Sequence, residues 1–224
     1  MPALSDARAD YQIKIETLCL GGLDFDIRSL LDRQQYSDPD GVAERAGISS
    51  ASWPLFGLVW PSARILAGIV QALPLVGRRV LEIGCGLGLA SLVMQRRGAD
   101  VTASDLHPMA AAFMAENLRL NRLEPLDFRT GSWSDADPGL GRFDLIVGSD
   151  VLYERDLPGL LAGYIDRHSC PAVEVIIVDP DRGNRAAFNR QMAGLGYLHR
   201  ETRATAHQES GEAYKGRILN YRRG

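Results

Sequence analysis

Cysteine, lysine and histidine are all scarce in this 224-residue chain, and no apolar run approaches the roughly 18 residues of a membrane helix. The three cysteines, Cys19, Cys85 and Cys170, are odd in number, widely spaced and without a CxxC pair. They favour neither a disulfide framework nor a thiolate zinc site, and a reducing compartment is the default. The four histidines (His107, His168, His199, His207) form no HxxxH or HExxH pattern, so no metal is expected. A strong charge of either sign is missing too. The formal net charge of −3 excludes a basic field for nucleic acid. Only Lys14 and Lys215 among the 25 cations are lysines, and the rest are arginines scattered without a patch. The N-terminus, MPALSDARADYQ, carries acids and lacks the apolar stretch of a secretion signal. The expectation is a cytoplasmic monomer with neither a nucleic-acid nor a membrane partner.

The composition that remains is globular, with 46% hydrophobic and 24% charged residues, which excludes wholesale disorder and a fibrous repeat. Two alternating apolar runs, Tyr11 to Leu20 and Leu23 to Ile27, flank Gly21-Gly22 and predict a β-hairpin. Residues 32–54 read as an irregular connector with a turn cluster at Ser37-Asp38-Pro39-Asp40-Gly41. Pro61 suits a first helical position, and Ile65, Leu66, Ile69, Val70 and Leu73 give that helix one apolar face. From Arg79 onward, strand-like and helix-like segments alternate. The strands are 79–83, 101–104, 126–130, 143–148 and 173–178, with two more near 197–204 and 215–221. Helices are expected at 89–98, 108–120, 157–165 and 184–194. Such alternation implies a doubly wound α/β sheet. Residues 1–54 read as a hairpin-and-connector extension and residues 55–224 as the main domain.

The sharpest local signal is Val80-Leu81-Glu82-Ile83-Gly84-Cys85-Gly86-Leu87-Gly88, a strand entering a Gly-x-Gly-x-Gly turn and then a helix. Small residues there let a ligand approach the backbone, and the helix start offers unpaired N–H groups. A tight turn with no ligand is the plain alternative. Asp105 lies 21 residues after Gly84, at the end of the next strand, where a carboxylate can accept from both ribose hydroxyls. It could instead cap the turn before Pro108. Glu82 would repel a pyrophosphate but suits a cationic ligand, and Leu89 breaks the GxGxxG dinucleotide spacing. The loop therefore favours S-adenosyl-L-methionine over a nicotinamide dinucleotide.

Those motifs, with Gly57-Leu58-Val59-Trp60-Pro61, Trp133 and Ser149-Asp150-Val151-Leu152-Tyr153-Glu154, resemble the class I seven-β-strand methyltransferases. The resemblance is to methyltransferase family 16, the protein lysine methyltransferases, and spans about residues 55–200. It implies a Rossmann-like seven-stranded methyltransferase sheet carrying the N-terminal hairpin. It also implies S-adenosyl-L-methionine as donor, S-adenosyl-L-homocysteine as product and a protein lysine as acceptor. Asp179-Pro180-Asp181-Arg182-Gly183-Asn184 is most similar to the branch acting on the electron-transfer flavoprotein β-subunit.

Carried over by position, Trp60 packs near the methionine end of the donor. Gly84, Cys85, Gly86 and Gly88 line it, with Glu82 near its amino group. Asp105 and Leu106 take the ribose side, Trp133 contacts the adenine, and Ser149 touches the donor. Ser132 stands where relatives often have Asp, so the resemblance leaves a contact to the adenine amine to Ser132 or a backbone carbonyl. Asp150 and Tyr153 are the catalytic pair, accepting N–H bonds from the target amine. Competing structural roles are a helix cap for Asp150, packing for Tyr153, and simple burial for Trp53 and Trp60. Cys85 has no histidine beside it and is explained by the loop. Arg182 and Arg185 would contact a partner or be solvated. A small-molecule amine N-methyltransferase and a non-catalytic donor-binding module are the alternative functions.

Overall fold

The structure is a computed structural model describing residues 11–20, 22–135, 139–204 and 214–224. β1 (Ile13–Leu20) and β2 (Leu23–Leu30) pair antiparallel in a separate two-stranded sheet. Gly21 of the turn lies outside the described residues, and Gly22 has φ 84°. The stretch 32–54 is less irregular than expected. Both oxygens of Asp38 accept from the N–H groups of Ala43 and Glu44, and this nucleates the short helix α1 (Val42–Arg45). A 3-10 turn follows at Trp53–Gly57, then α2 (Pro61–Ala72), with Pro61 at its first position.

The rest alternates as expected: β3 (Arg79–Ile83), α3 (Leu89–Arg96), β4 (Asp100–Asp105), α4 (Ala110–Leu120), β5 (Asp127–Thr130), β6 (Phe143–Ser149), α5 (Leu157–Arg167), β7 (Ser169–Asp179), α6 (Arg185–Gly194), β8 (Leu198–Arg203) and β9 (Arg217–Arg223). Several boundaries differ from the sequence reading by a few residues, and two of them have a visible cause. α4 starts at Ala110 rather than Pro108, because the His107 ring first closes a turn by accepting the Met109 N–H at 3.2 Å. β7 begins four residues early, with its register against β6 shifted between Phe143 and Leu145. Pro171 hides that start, since a residue without an N–H sits in a strand only at an edge or irregularity.

The main sheet runs β5-β4-β3-β6-β7-β9-β8, parallel except for β9. The chain leaves β3 toward β4 on one side and returns through β6 on the other, so the order reverses between β3 and β6. Ligands of such sheets bind beyond the strand C-termini at that reversal. The strands are near-continuously apolar because both faces are covered. Val80, Leu145, Val147, Ile176 and Val178 face one core layer, and Leu81, Ile83, Ile146, Val175 and Ile177 the other. The hairpin's buried face (Leu18, Leu20, Phe25, Ile27, Leu30) belongs to the first layer, with residues of α2, α3 and α4.

One expectation about apolar runs needs correcting. Trp53–Ala72 is long and apolar enough, at mean hydropathy 1.4, to meet the length and composition of a membrane span. Scattered polar residues such as Ser62, Arg64 and Gln71 obscured it as a run. Leu58 and Trp60 are extended, however, and break it. α2 alone has 12 residues, or about 18 Å, and packs Leu66, Ala67 and Val70 into the core.

Candidate active site

Gly84, Gly86 and Gly88 follow β3 with φ of 57°, 53° and 69°. A Cβ at Gly84 would stand 2.8 Å from Val151 Cγ1, and one at Gly86 would stand 2.8 Å from the Phe56 carbonyl oxygen. Both left-handed backbone and close approach therefore require glycine at these two positions. The 3-10 turn presses on one side of the loop and the chain after β6 presses on the other. Gly88 is the N-cap of α3. Cys85 is buried, its N–H bonded to the Ser104 carbonyl at 3.0 Å. Burial pushes its thiol well above the ordinary range, which suits a loop-filling side chain and not a nucleophile.

Asp105, at the end of β4, holds the loop from the neighbouring strand. Oδ2 accepts from the Gly86 N–H at 2.7 Å and Oδ1 from the His107 N–H at 2.8 Å. It therefore performs the turn-capping role and also ties β4 to the glycine loop. The carboxylate keeps lone-pair capacity for a ligand hydroxyl. Burial raises its carboxyl pKa, opposed by the His107, Gly86 and Leu106 N–H groups. The following Leu106 leaves 36% of its surface exposed. The Trp133 ring reaches within 3.5 Å of where a Gly84 Cβ would be, and its carbonyl is held by Arg167 Nη2 at 2.8 Å. Ser132 Oγ pairs with Ser134 Oγ at 2.9 Å, and its N–H donates to Asp135. A glycine loop, a carboxylate with spare lone pairs, an exposed leucine and an indole thus converge at the β3/β6 reversal. They fit an adenosine-bearing ligand.

Glu82 and Trp60 each make hydrogen bonds within the protein. Glu82 is only 2% exposed, and its Oε2 accepts from both Ser91 N–H (2.7 Å) and Ser91 Oγ (2.5 Å) at the start of α3. Burial raises its pKa to about 7, with the Ser91 hydrogen bonds opposing. Trp60 donates Nε1–H to the Leu55 carbonyl at 2.8 Å and lines a cleft of about 350 Å³. That cleft is walled by hairpin residues including Lys14, Ser29 and Leu30, with no glycine-loop residue.

Beyond β6, Ser149 is half-buried and Asp150 turns left-handed at φ 56°, its N–H bonded to the Val178 carbonyl at 2.9 Å. Asp150 makes no helix cap. Arg182 grips its carboxylate in a fork, Nε to Oδ1 at 2.8 Å and Nη2 to Oδ2 at 3.0 Å. Asn184 Nδ2 donates to the carbonyls of Leu152 and Glu154, both at 2.9 Å. Tyr153 between them is 47% exposed. Desolvation first, then the charges of Glu154, Asp105 and Asp150, push its hydroxyl up to about 12. Tyr153 therefore stays a neutral hydroxyl, within the field of both Asp105 and Asp150. Sequence reasoning offered Arg182 only as a partner contact or a solvated side chain and did not single out Asn184. Their only signal was the Asp179–Asn184 run at the end of β7.

Six parallel strands with a single antiparallel strand inserted beside the last of them define the class I methyltransferase fold. The family described as a methyltransferase domain matches residues 62–212, and the chain belongs to it. The chain is 32% identical over 133 residues to the electron transfer flavoprotein beta subunit lysine methyltransferase of Xenopus laevis, covering 58% of this chain and 53% of that protein. It is 40% identical over 86 residues to the magnesium-protoporphyrin O-methyltransferase of Rhodobacter capsulatus, 38% of each. The chain spans about half the length, or less, of these curated relatives. Its fold is similar to that of magnesium protoporphyrin IX methyltransferase from Synechocystis, at TM-score 0.59 and 18% identity, covering 85% of this chain and 87% of that one.

Proposed function

We propose that this chain transfers the methyl group of S-adenosyl-L-methionine to a lysine side chain of a protein, releasing S-adenosyl-L-homocysteine. The electron-transfer flavoprotein β-subunit is the first acceptor to test. The observation that carries this reading is the similarity to the Xenopus lysine methyltransferase across more than half the chain. Within it, the Gly84–Gly88 loop, Asp105, Leu106 and Trp133 hold the donor. The donor supplies an electrophilic methyl carbon on a sulfonium, so positioning the nucleophile carries much of the rate. A lysine at pH 7 must first lose a proton, at roughly 4.6 kcal/mol from its free pKa. Desolvation at the half-buried site lowers that cost. Asp150 and Tyr153 then accept the N–H bonds of the neutral amine and aim its lone pair. The same reading has the chain acting as a monomer in the cytoplasm, consistent with its three free cysteines; light scattering tests the first part.

The porphyrin relative, named an O-methyltransferase, supports a second reading, methylation of a substrate oxygen, over a shorter match. Labelled S-adenosyl-L-methionine with recombinant β-subunit separates the two. The expected product is a protein whose lysines gain methylene-sized mass increments, with initial rate climbing between about pH 7 and 9 as the amine deprotonates. Label on oxygen, or only in small molecules, overturns the lysine reading.

A further inference from the structure

The Asp150 carboxylate poses a chemical difficulty. A bare carboxylate beside a lysine stabilises the ammonium and raises its pKa, which opposes the deprotonation that transfer requires. The structure supplies the remedy in Arg182. Its guanidinium takes one lone pair from each carboxylate oxygen, leaving the others as acceptors. The carboxylate is 13% exposed and the arginine 42%, so the pair sits at the mouth of the site with Asp150 inward. Arg182 is itself anchored, its N–H bonded to Asp179 Oδ2 at 2.8 Å.

Resting on the lysine reading, we propose that Arg182 is a positioning residue that cancels the charge of Asp150, so the pair binds the target as neutral amine rather than ammonium. The amine nitrogen then forms its bond to the methyl carbon as the carbon–sulfur bond breaks. That electron pair stays on sulfur as a neutral thioether, and the ammonium proton has already left to water. Among the described residues, the titratable and charged groups around the pair are Tyr153 and Glu154 on the same loop, Asp105 on β4, Asp179 on β7, Arg185 on α6 and Tyr214 ahead of β9. Burial holds both tyrosines near 12 and Asp179 near 6, so none of these three titrates between pH 7 and 10.

The test is kcat against pH with recombinant β-subunit for wild type, Arg182→Gln, Arg182→Lys and Asp150→Asn. Arg182→Gln should move the rise about one pH unit alkaline, a tenfold loss of neutral amine at fixed pH. Asp150→Asn leaves Arg182 unpaired and should move it acid. Arg182→Lys keeps the charge and should keep the wild-type midpoint at a lower rate. Unmoved midpoints in the Gln and Asn variants overturn the proposal, whatever their rates. Because the two shifts are opposite, one folded variant suffices to decide. If wild type methylates no lysine, the lysine reading fails by itself, and binding of n-butylammonium decides the pair. Arg182→Gln should bind that cation about tenfold more tightly than wild type, and equal or weaker binding overturns the charge cancellation.

Discussion

Two buried residues of the first core layer and its rim titrate in opposite senses, and each makes a prediction. Glu82 holds its proton to about pH 7 when folded, against an ordinary value of 4.5. The stability it contributes is full below about pH 4.5 and is lost as pH rises through 7. His107 is stacked on Phe56 at 3.8 Å, and burial lowers its pKa to about 4 from 6.5. Its contribution is full above about pH 6.5 and is lost as pH falls toward 4. Glu82→Gln removes only the first dependence. Urea unfolding should show the variant gaining on wild type from about pH 5 to 8, by at most on the order of 3 kcal/mol. A constant difference across that range would contradict a protonated Glu82. At Asp105, replacement by alanine removes the acceptor for Gly86 N–H, His107 N–H and a ligand hydroxyl together. Calorimetry with S-adenosyl-L-homocysteine should register an affinity loss of about 1–3 kcal/mol. Unchanged affinity would take Asp105 out of the site.

At the scale of elements, α4 serves as the missing neighbour of the hairpin edge. Asn117 accepts from the Arg28 N–H at 2.7 Å and donates to its carbonyl at 3.3 Å. Asn121, one helical turn on, does the same for Asp26 at 2.9 and 2.7 Å. Two side-chain amides thus satisfy β2 backbone groups that an edge strand would leave open. Asn117 is fully buried, so Asn117→Ala should cost about 1–3 kcal/mol, read by denaturant unfolding. Asn117→Asp keeps the acceptor and should recover part of that loss. Glycines test the same scale in opposite directions. Gly86→Ala meets the Phe56 carbonyl in a left-handed backbone and should lower both stability and donor affinity. Gly68→Ala, in α2 with nothing within 4 Å, should stabilise by roughly 0.5–1 kcal/mol. A thermal melt in which both shift the same way would contradict this account of the loop.

For the whole molecule, the hairpin is the test of what makes up the folding unit. Its Phe25, Ile27 and Leu30 are buried in the layer shared with Trp53, Phe113 and Met114. Arg96 stacks on Phe25 at 3.8 Å and Arg28 on Phe113 at 4.4 Å, so contacts between hairpin and helices run both ways. A chain beginning at residue 32 should lose the cooperative thermal transition of the full chain, because four fully buried large side chains, Leu20, Phe25, Ile27 and Leu30, leave with the hairpin. A truncated chain melting within a few degrees of the full one would show that residues 1–31 are an appendage.

The strand–helix alternation, the glycine loop and the strand-end Asp105 were legible in the sequence because each is local. Apolar period, turn chemistry and the distance from one strand end to the next are written along the chain. The partners of Glu82 and Asp150 were not legible. Ser91 lies nine residues from Glu82 across a turn, and Arg182 lies 32 residues from Asp150 on another strand's loop. Nothing in composition or spacing says which arginine of the many closes on which carboxylate. The same holds for Asn117 and Asn121, whose partners on β2 lie 89 and 95 residues away along the chain. The sequence by itself determined the layers, the strand-to-loop order and the ligand-binding edge, since hydrophobic period and glycine placement act within a few residues. Only the tertiary structure decided which charges meet there, because sheet order brings together loops that the chain keeps apart.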